Sequence, residues 1–189
     1  HKMYTLLLVD DEEDVIEVIE RKVSWEQIGF HVVGHAGNGF KALEMMEDMQ
    51  PDVVMTDIRM PYMDGLELCS NIRQRFPATK LLLFTGFDDF EYAKEAVHLE
   101  IEEYILKPLN LAEITEVFKK LKTKLDDELN EKKNTDILKQ YYAASLPVLQ
   151  SNFYTTLIEG RIPENELGRY MRDYKIVLEG PYYCCIIIH

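Results

Sequence analysis

Cysteine, long apolar runs and positive charge are all scarce in this sequence. Its three cysteines, Cys69 alone and Cys184 beside Cys185, are an odd number without the spacing of a disulfide framework, which suits buried thiols in a reducing compartment. The longest wholly apolar stretches are short, such as Leu6–Val9 and Cys184–Ile188, so no segment approaches the roughly 20 residues of a membrane span. An acidic cluster from Asp10 to Asp14 follows the first apolar stretch, where a secretory signal would not tolerate it, so a cytoplasmic protein is expected. Lys and Arg number 21 against 34 Asp and Glu, a net charge of −13. Residues 1–107 hold 22 of those acids and 10 of the bases. That part repels a phosphate backbone and is not expected to bind nucleic acid. The remainder offers no helix-turn-helix and no basic recognition helix.

What is present is a globular composition, 47% apolar and 29% charged, with enough length for a domain of about 120 residues and a smaller attachment. Short β-branched or leucine-rich runs alternate with segments of helical period over the first 108 residues. Strands are predicted at Tyr4–Val9, His31–Ala36, Val53–Thr56, Lys80–Thr85 and Glu103–Leu106. Helices are predicted at Asp14–Val23, Gly39–Met49, Gly65–Arg75 and Phe90–His98, with a last one from Leu111 onward. This order is that of an α/β fold, a (βα)5 doubly wound parallel sheet.

In such sheets chemistry gathers beyond the carboxyl ends of the strands. There the first strand leads into Asp10 and Asp11, the third into Asp57, the fourth ends in Thr85, and the fifth leads into Lys107 and Pro108. A single Asp at a strand end is ordinarily a helix cap, and a single Lys is ordinarily solvated. Their joint placement on one edge is what points to a site. Three carboxylates with one lysine repel one another, and a divalent cation relieves them; all-oxygen ligation suits Mg2+ or Mn2+ better than zinc. With the charge screened, a carboxylate could attack a phosphoryl group, and Thr85 and Lys107 could donate to its oxygens. Periodicity alone leaves open which carboxylate is the nucleophile and whether phosphate is the substrate.

The segments Leu6-Leu7-Leu8-Val9-Asp10-Asp11-Glu12, Asp57-Ile58-Arg59-Met60-Pro61-Tyr62-Met63-Asp64-Gly65, Thr85-Gly86 and Tyr104-Ile105-Leu106-Lys107-Pro108 together resemble the receiver domain of two-component response regulators. That is a flavodoxin-like fold, here over residues 4–125. The resemblance implies that Asp57 accepts a phosphoryl group from a sensor histidine kinase. It implies that Asp10, Asp11, Asp57 and the backbone carbonyl of Arg59 hold Mg2+. Thr85 and Lys107 would contact the phosphoryl group, Tyr104 would swing with Thr85 on activation, and the Lys107-Pro108 bond would be cis. One departure is Glu100-Ile101, where receivers usually carry a small pair led by Gly. Ser24-Trp25-Glu26-Gln27-Ile28-Gly29-Phe30 and Phe87–Ala96 further resemble receivers whose proteins end in an AraC-type helix-turn-helix domain. DNA would be bound only through that output domain, which these residues do not include.

Leu111, Ile114, Phe118, Leu121 and Leu125 have heptad spacing, which fits either a last helix packed on its own sheet or a seam pairing two copies. A helical linker is expected over 126–160, as a possible coiled-coil start. After the polar stretch Asn130–Asp136 a second helical pattern is expected, with Pro147 a bend and Gly160 its stop. Pro163–Tyr174 reads as a short helix, and 161–189 as the incomplete start of an α+β connecting domain. The end inside Tyr182–Ile188 suggests that the natural protein continues, with His189 and His1-Lys2 foreign to it. His31 and His35, four apart on one strand, would share a face but lie too far apart to share a metal. The expected function is a phosphorylation-activated switch of dimerisation and transcription. It would be a signalling protein rather than an enzyme, at most losing its phosphate slowly, and would dimerise through the fifth helix and its extension without contacting a membrane. The competing readings are a constitutive dimerisation module and a Mg2+-dependent phosphohydrolase.

Overall fold

The computed structural model describes residues 2–86, 97–108, 110–178 and 180, with the side chains of Thr85 and Val97 outside that description. Five strands, β1 (Tyr4–Val9), β2 (Phe30–Ala36), β3 (Val53–Thr56), β4 (Lys80–Thr85) and β5 (Glu103–Leu106), form one parallel sheet in the order β2-β1-β3-β4-β5. Each connection is a crossover, and four helices of the region precede the last one: α1 (Glu13–Lys22), the single turn α2 (Trp25–Ile28), α3 (Gly39–Met49) and α4 (Gly65–Arg75). The fold is the expected doubly wound, flavodoxin-like receiver architecture. The fourth helix expected over Phe90–His98 falls mostly outside the described residues; Val97–Leu99 form one turn of 3-10 helix.

Strand β1 shows why the sequence is continuously apolar there. Leu6 and Leu8 point into a core shared with Ile16, Ile19, Trp25, Ile114 and Phe118, while Leu7 and Val9 point into a second core with Ala42, Met46, Leu68 and Ile72. A central parallel strand buried on both faces keeps no polar alternation. In the first core Trp25 and Phe118 stack edge-on at 4.7 Å, and Phe30 meets Phe118 edge-on at 5.1 Å.

Strand β2 corrects one expectation. Its pairing with β1 slips between Leu6 and Leu7, so that His31 lies opposite Thr5 and His35 opposite Leu8. The extra residue reverses the parity of the strand, and the two histidines point to opposite faces rather than one. His35 faces Glu20 of α1 at 3.9 Å.

Contacts divide the chain into residues 1–127 and 128–189. Helix α5 runs from Leu111 to Ile158, and α6 from Glu164 to Asp173. Within the first unit, Ile114, Phe118, Leu121 and Leu125 are buried in the sheet's own core. The heptad spacing at the start of α5 is thus satisfied inside the unit. One other expectation changes. The two helical patterns on either side of Asn130–Asp136 are one helix: the stretch contains neither Gly nor Pro, every residue in it is exposed to water, and Thr135 returns its hydroxyl to the Glu131 carbonyl at 2.9 Å. Pro147, expected as a bend, lies inside the helix, where its missing N–H forgoes one bond without ending the element. Gly160 does stop it, at φ 66°, letting the Arg161 amide reach the Thr156 carbonyl. In the second unit Phe153 is buried, edge-on to Tyr174 at 6.4 Å, and Gln150 donates to the Tyr174 carbonyl. The strand expected at Tyr182–Ile188 lies outside the described residues.

Candidate functional site

Register brings the site together. Val9 lies opposite Thr56 in the β1/β3 pair, so the next residues, Asp10 and Asp57, leave the sheet side by side, and the Asp57 amide donates to the Val9 carbonyl at 2.8 Å. Asp11 follows Asp10, and carboxylate oxygens of Asp10, Asp11 and Asp57 lie within 4.8 Å of one another. Asp10 and Asp57 are buried, and Asp11 is exposed. Leu106 pairs with Thr85, so Lys107 leaves β5 on the same edge, two strands from β3. That is roughly 10 Å of sheet, which the length of its side chain spans.

Lys107 Nζ lies 3.0 Å from Asp57 Oδ2, 3.1 Å from Asp10 Oδ2 and 3.2 Å from Glu12 Oε1, and 5.0 Å from the centre of the Phe84 ring. Partial burial would pull its pKa down, but the hydrogen bonds to Asp57 and Asp10 outweigh burial and hold the ammonium above the ordinary lysine range. Asp10 is moved the other way. Its burial raises the carboxyl pKa, opposed only in part by the Glu12 amide at 2.9 Å and by Lys107, and reinforced by the Asp57 charge. Asp57 Oδ1 accepts the Ile58 amide at 2.7 Å, and Lys107 holds Oδ2.

The loop after Asp57 closes tightly. A Cβ at Gly65 would stand 2.0 Å from the Asp57 carbonyl oxygen, and the Gly65 amide donates to the Ile58 carbonyl. Asp64 caps α4 by accepting the Glu67 amide at 2.8 Å, so this acidic residue has the ordinary capping role. Arg59 lies exposed in the same loop. Tyr104 sits on β5 opposite Leu83, half buried against the core under α3 and α4. The Thr85 backbone ends β4 beside this edge, its side chain lying outside the described residues. The Lys107-Pro108 peptide is cis.

The pattern of polar strand ends gives Glu12 no role. Its position two residues after Asp10, opening α1, is the signal that could have found it as Lys107's third partner. Gly65 is legible in the sequence only as part of a motif, because its necessity depends on how closely the chain returns to Asp57.

A parallel sheet of order 2-1-3-4-5 is the flavodoxin-like class of doubly wound domain, and the three carboxylates and the lysine lie at the carboxyl edge of its strands, where that class binds ligands. The family model "response regulator receiver domain" matches residues 6–119, and the chain belongs to that family. It is therefore the receiver domain of a response regulator in a two-component system. The chain is 37% identical over 137 residues to the "uncharacterized transcriptional regulatory protein YesN" of Bacillus subtilis strain 168, covering 72% of this chain and 37% of YesN. It is 26% identical over 164 residues to the "transcriptional regulatory protein HptR" of Staphylococcus aureus strain NCTC 8325 / PS 47, covering 86% of this chain and 64% of HptR. The chain thus spans less than two thirds of either relative. Among solved structures, the REC domain of AraT, a response regulator from Geobacillus stearothermophilus, is 36% identical with a TM-score of 0.65, covering 67% of this chain and 98% of that one. A two-component transcriptional regulator AraC from Clostridium phytofermentans is 31% identical with a TM-score of 0.61, covering 66% and 98%. No described helix is long and apolar enough to cross a membrane.

Proposed function

We propose that Asp57 is a phosphoacceptor that takes a phosphoryl group from a sensor histidine kinase in a Mg2+-dependent step, and that its phosphorylation switches dimerisation and transcription. The observation that carries this reading is the convergence of Asp10, Asp11 and Asp57 within 4.8 Å, with Lys107 bonded to Asp57 at 3.0 Å. The donor set is all oxygen and partly buried, which fits Mg2+; Asp10, Asp11, Asp57 and the Arg59 backbone carbonyl would hold it. When bound, the cation supplies charge screening at the carboxylates and the phosphoryl oxygens. In the transfer, a bond forms between an Asp57 carboxylate oxygen and phosphorus while the bond from phosphorus to the kinase's histidine nitrogen breaks. The Ile58 amide on Oδ1 orients the carboxylate. Lys107 exchanges part of its carboxylate bonding for the phosphoryl oxygens, Thr85 donates its hydroxyl, and Tyr104 follows Thr85 in the activated state.

The chain acts on this reading as a cytoplasmic signalling protein, with slow self-dephosphorylation its only turnover. Output to DNA would belong to an AraC-type domain, which the described residues do not include. A phosphohydrolase is disfavoured by the site itself, which among the described residues presents no second acid-base pair beside the Asp57 cluster. We assign residues 4–125 to the receiver, 126–160 to the linker and 161–189 to the start of a connecting domain. The test is incorporation of phosphate from a small-molecule phosphodonor, followed by intact mass. One phosphoryl group per chain, dependent on Mg2+ and abolished in Asp57→Ala, is expected. Incorporation that survives this substitution refutes the assignment.

A further inference from the structure

The sheet's own core takes Ile114, Phe118, Leu121 and Leu125, so the start of α5 has no heptad seam to spare. A second seam lies farther along the helix, wholly within residues 128–189. Asn134, Ile137, Tyr141, Ala144, Val148, Ser151, Thr155 and Ile158 follow one another at spacings of three and four without a break, and every one is exposed. At 100° per residue they form a single stripe. The opposite side of the helix, carrying Leu146, Leu149, Phe153 and Leu157, is the side turned to α6 and the residues after it, where Tyr142 donates to the Asp173 carbonyl and Gln150 to that of Tyr174.

We propose that this stripe is a pairing surface for the same helix of a second copy of the chain, in a parallel two-stranded coiled coil over residues 134–158. It rests on the reading that two copies associate, and it names the surface on which they do. Two observations favour a second copy. Read at spacings of three and four from Ile137, Asn134 falls at an a position, where a side-chain amide is satisfied best by its own counterpart across a parallel, in-register pair. The second is extent and charge. Ile137, Leu138, Tyr141, Val148 and Ile158 are 52, 70, 72, 62 and 58% exposed, and with Tyr154 they present on the order of 700 Å2 per helix, close to the roughly 800 Å2 per partner of a standard interface.

Between Asn134 and Ile158 the residues flanking the stripe, Leu138, Gln140, Ser145, Asn152 and Tyr154, carry no charge, and Lys133 and Glu159 adjoin its two ends. Two copies of a chain of net charge −13 can therefore approach along this line without local repulsion. The small Ala144 layer next to Tyr141 leaves room for its paired rings. Pro147 occupies a flanking position, and the Ala143 carbonyl it leaves without a donor lies on an exposed residue that water can reach.

The experiment is sedimentation equilibrium of the full 189-residue chain from about 1 to 100 μM, with helix content followed by circular dichroism. A dimer is expected, weakened roughly 100-fold or more by Val148→Glu with helix content kept, and unaffected by Lys139→Glu on the outward side. Asn134→Ile should tighten association and admit higher oligomers, as removal of a register-setting Asn does. A monomer at 100 μM, or a Val148→Glu chain that pairs as the wild type does, overturns the proposal and leaves the stripe to some other partner. A clean dimer unchanged or weakened by Asn134→Ile overturns the parallel register. Repeating the series with beryllofluoride and with Asp57→Ala separates the two readings. If beryllofluoride changes nothing while Val148→Glu still dissociates the dimer, the reading that phosphorylation switches dimerisation fails and the seam stands.

Discussion

Asp10→Asn isolates the electrostatic cost of the acidic edge. Asp10 is 2% exposed, and its carboxyl pKa is raised, above all by burial. Withdrawing a carboxylate from water costs several kcal/mol even after the protein relaxes. Two charge-assisted hydrogen bonds, from the Glu12 amide at 2.9 Å and Lys107 at 3.1 Å, return about 1.5–3 kcal/mol each, and the neighbouring Asp57 charge takes some of that back. Asparagine keeps the shape and one acceptor while removing the charge. We expect the cation-free variant to be more stable than the wild type by about 1–2 kcal/mol at neutral pH, a shift of roughly 0.5–1 M in the urea midpoint. Trp25 is the sole tryptophan and is buried in the first unit, so its fluorescence reports this unit alone.

Because the folded pKa of Asp10 lies above its unfolded value, the penalty is full above the folded pKa and relieved as pH falls through it. The advantage of the variant should therefore shrink on acidification. Mg2+ should reverse the order. At 100 times its dissociation constant a cation adds about 2.7 kcal/mol to the wild type, and loss of one ligand removes much of that from the variant. A variant less stable than the wild type in EDTA, or a wild type that Mg2+ does not stabilise, refutes the reasoning.

Glu100 holds φ at 53°, with its carbonyl and that of Leu99 bound by Arg73 of α4. Since a non-glycine residue in the left-handed region costs about 1–2 kcal/mol and glycine gives part of that back as unfolded-state entropy, Glu100→Gly should raise stability by about 0.5–1 kcal/mol in the same Trp25 assay; a loss would show that the conformation carries no strain. Glu102 is partly buried, which alone would raise its carboxyl, but bonds from Lys124 and the charge of Lys80 hold it below its ordinary 4.5. Its contribution is present above the unfolded value and lost as pH falls through the lowered folded one. Glu102→Gln should therefore cost about 1 kcal/mol at pH 7 and progressively less as pH falls through the lowered folded value, and a cost that does not change with pH would remove the charge from the explanation.

Much of the fold is legible in the amino-acid sequence, for local reasons. Helices at Gly39–Met49 and Gly65–Arg75 and strands at Tyr4–Val9, Val53–Thr56, Lys80–Thr85 and Glu103–Leu106 have the expected bounds, because period, capping residues and apolar runs are written in neighbouring positions. The order of these elements, with acids and a lysine at strand ends, is enough to name the edge where chemistry gathers. Tertiary structure decided what depends on distant residues. The slip in β2 that parts His31 from His35 arises in pairing with β1, and the need for glycine at position 65 arises from the return of the chain to Asp57. Glu12 became a partner of Lys107 only once β5 lay two strands from β3. The heptad spacing of Leu111–Leu125 is identical whether a helix meets its own sheet or another copy. Only the burial of Phe118 among Trp25 and Phe30 chose between them, since periodicity states which face is apolar and folding alone supplies what covers it.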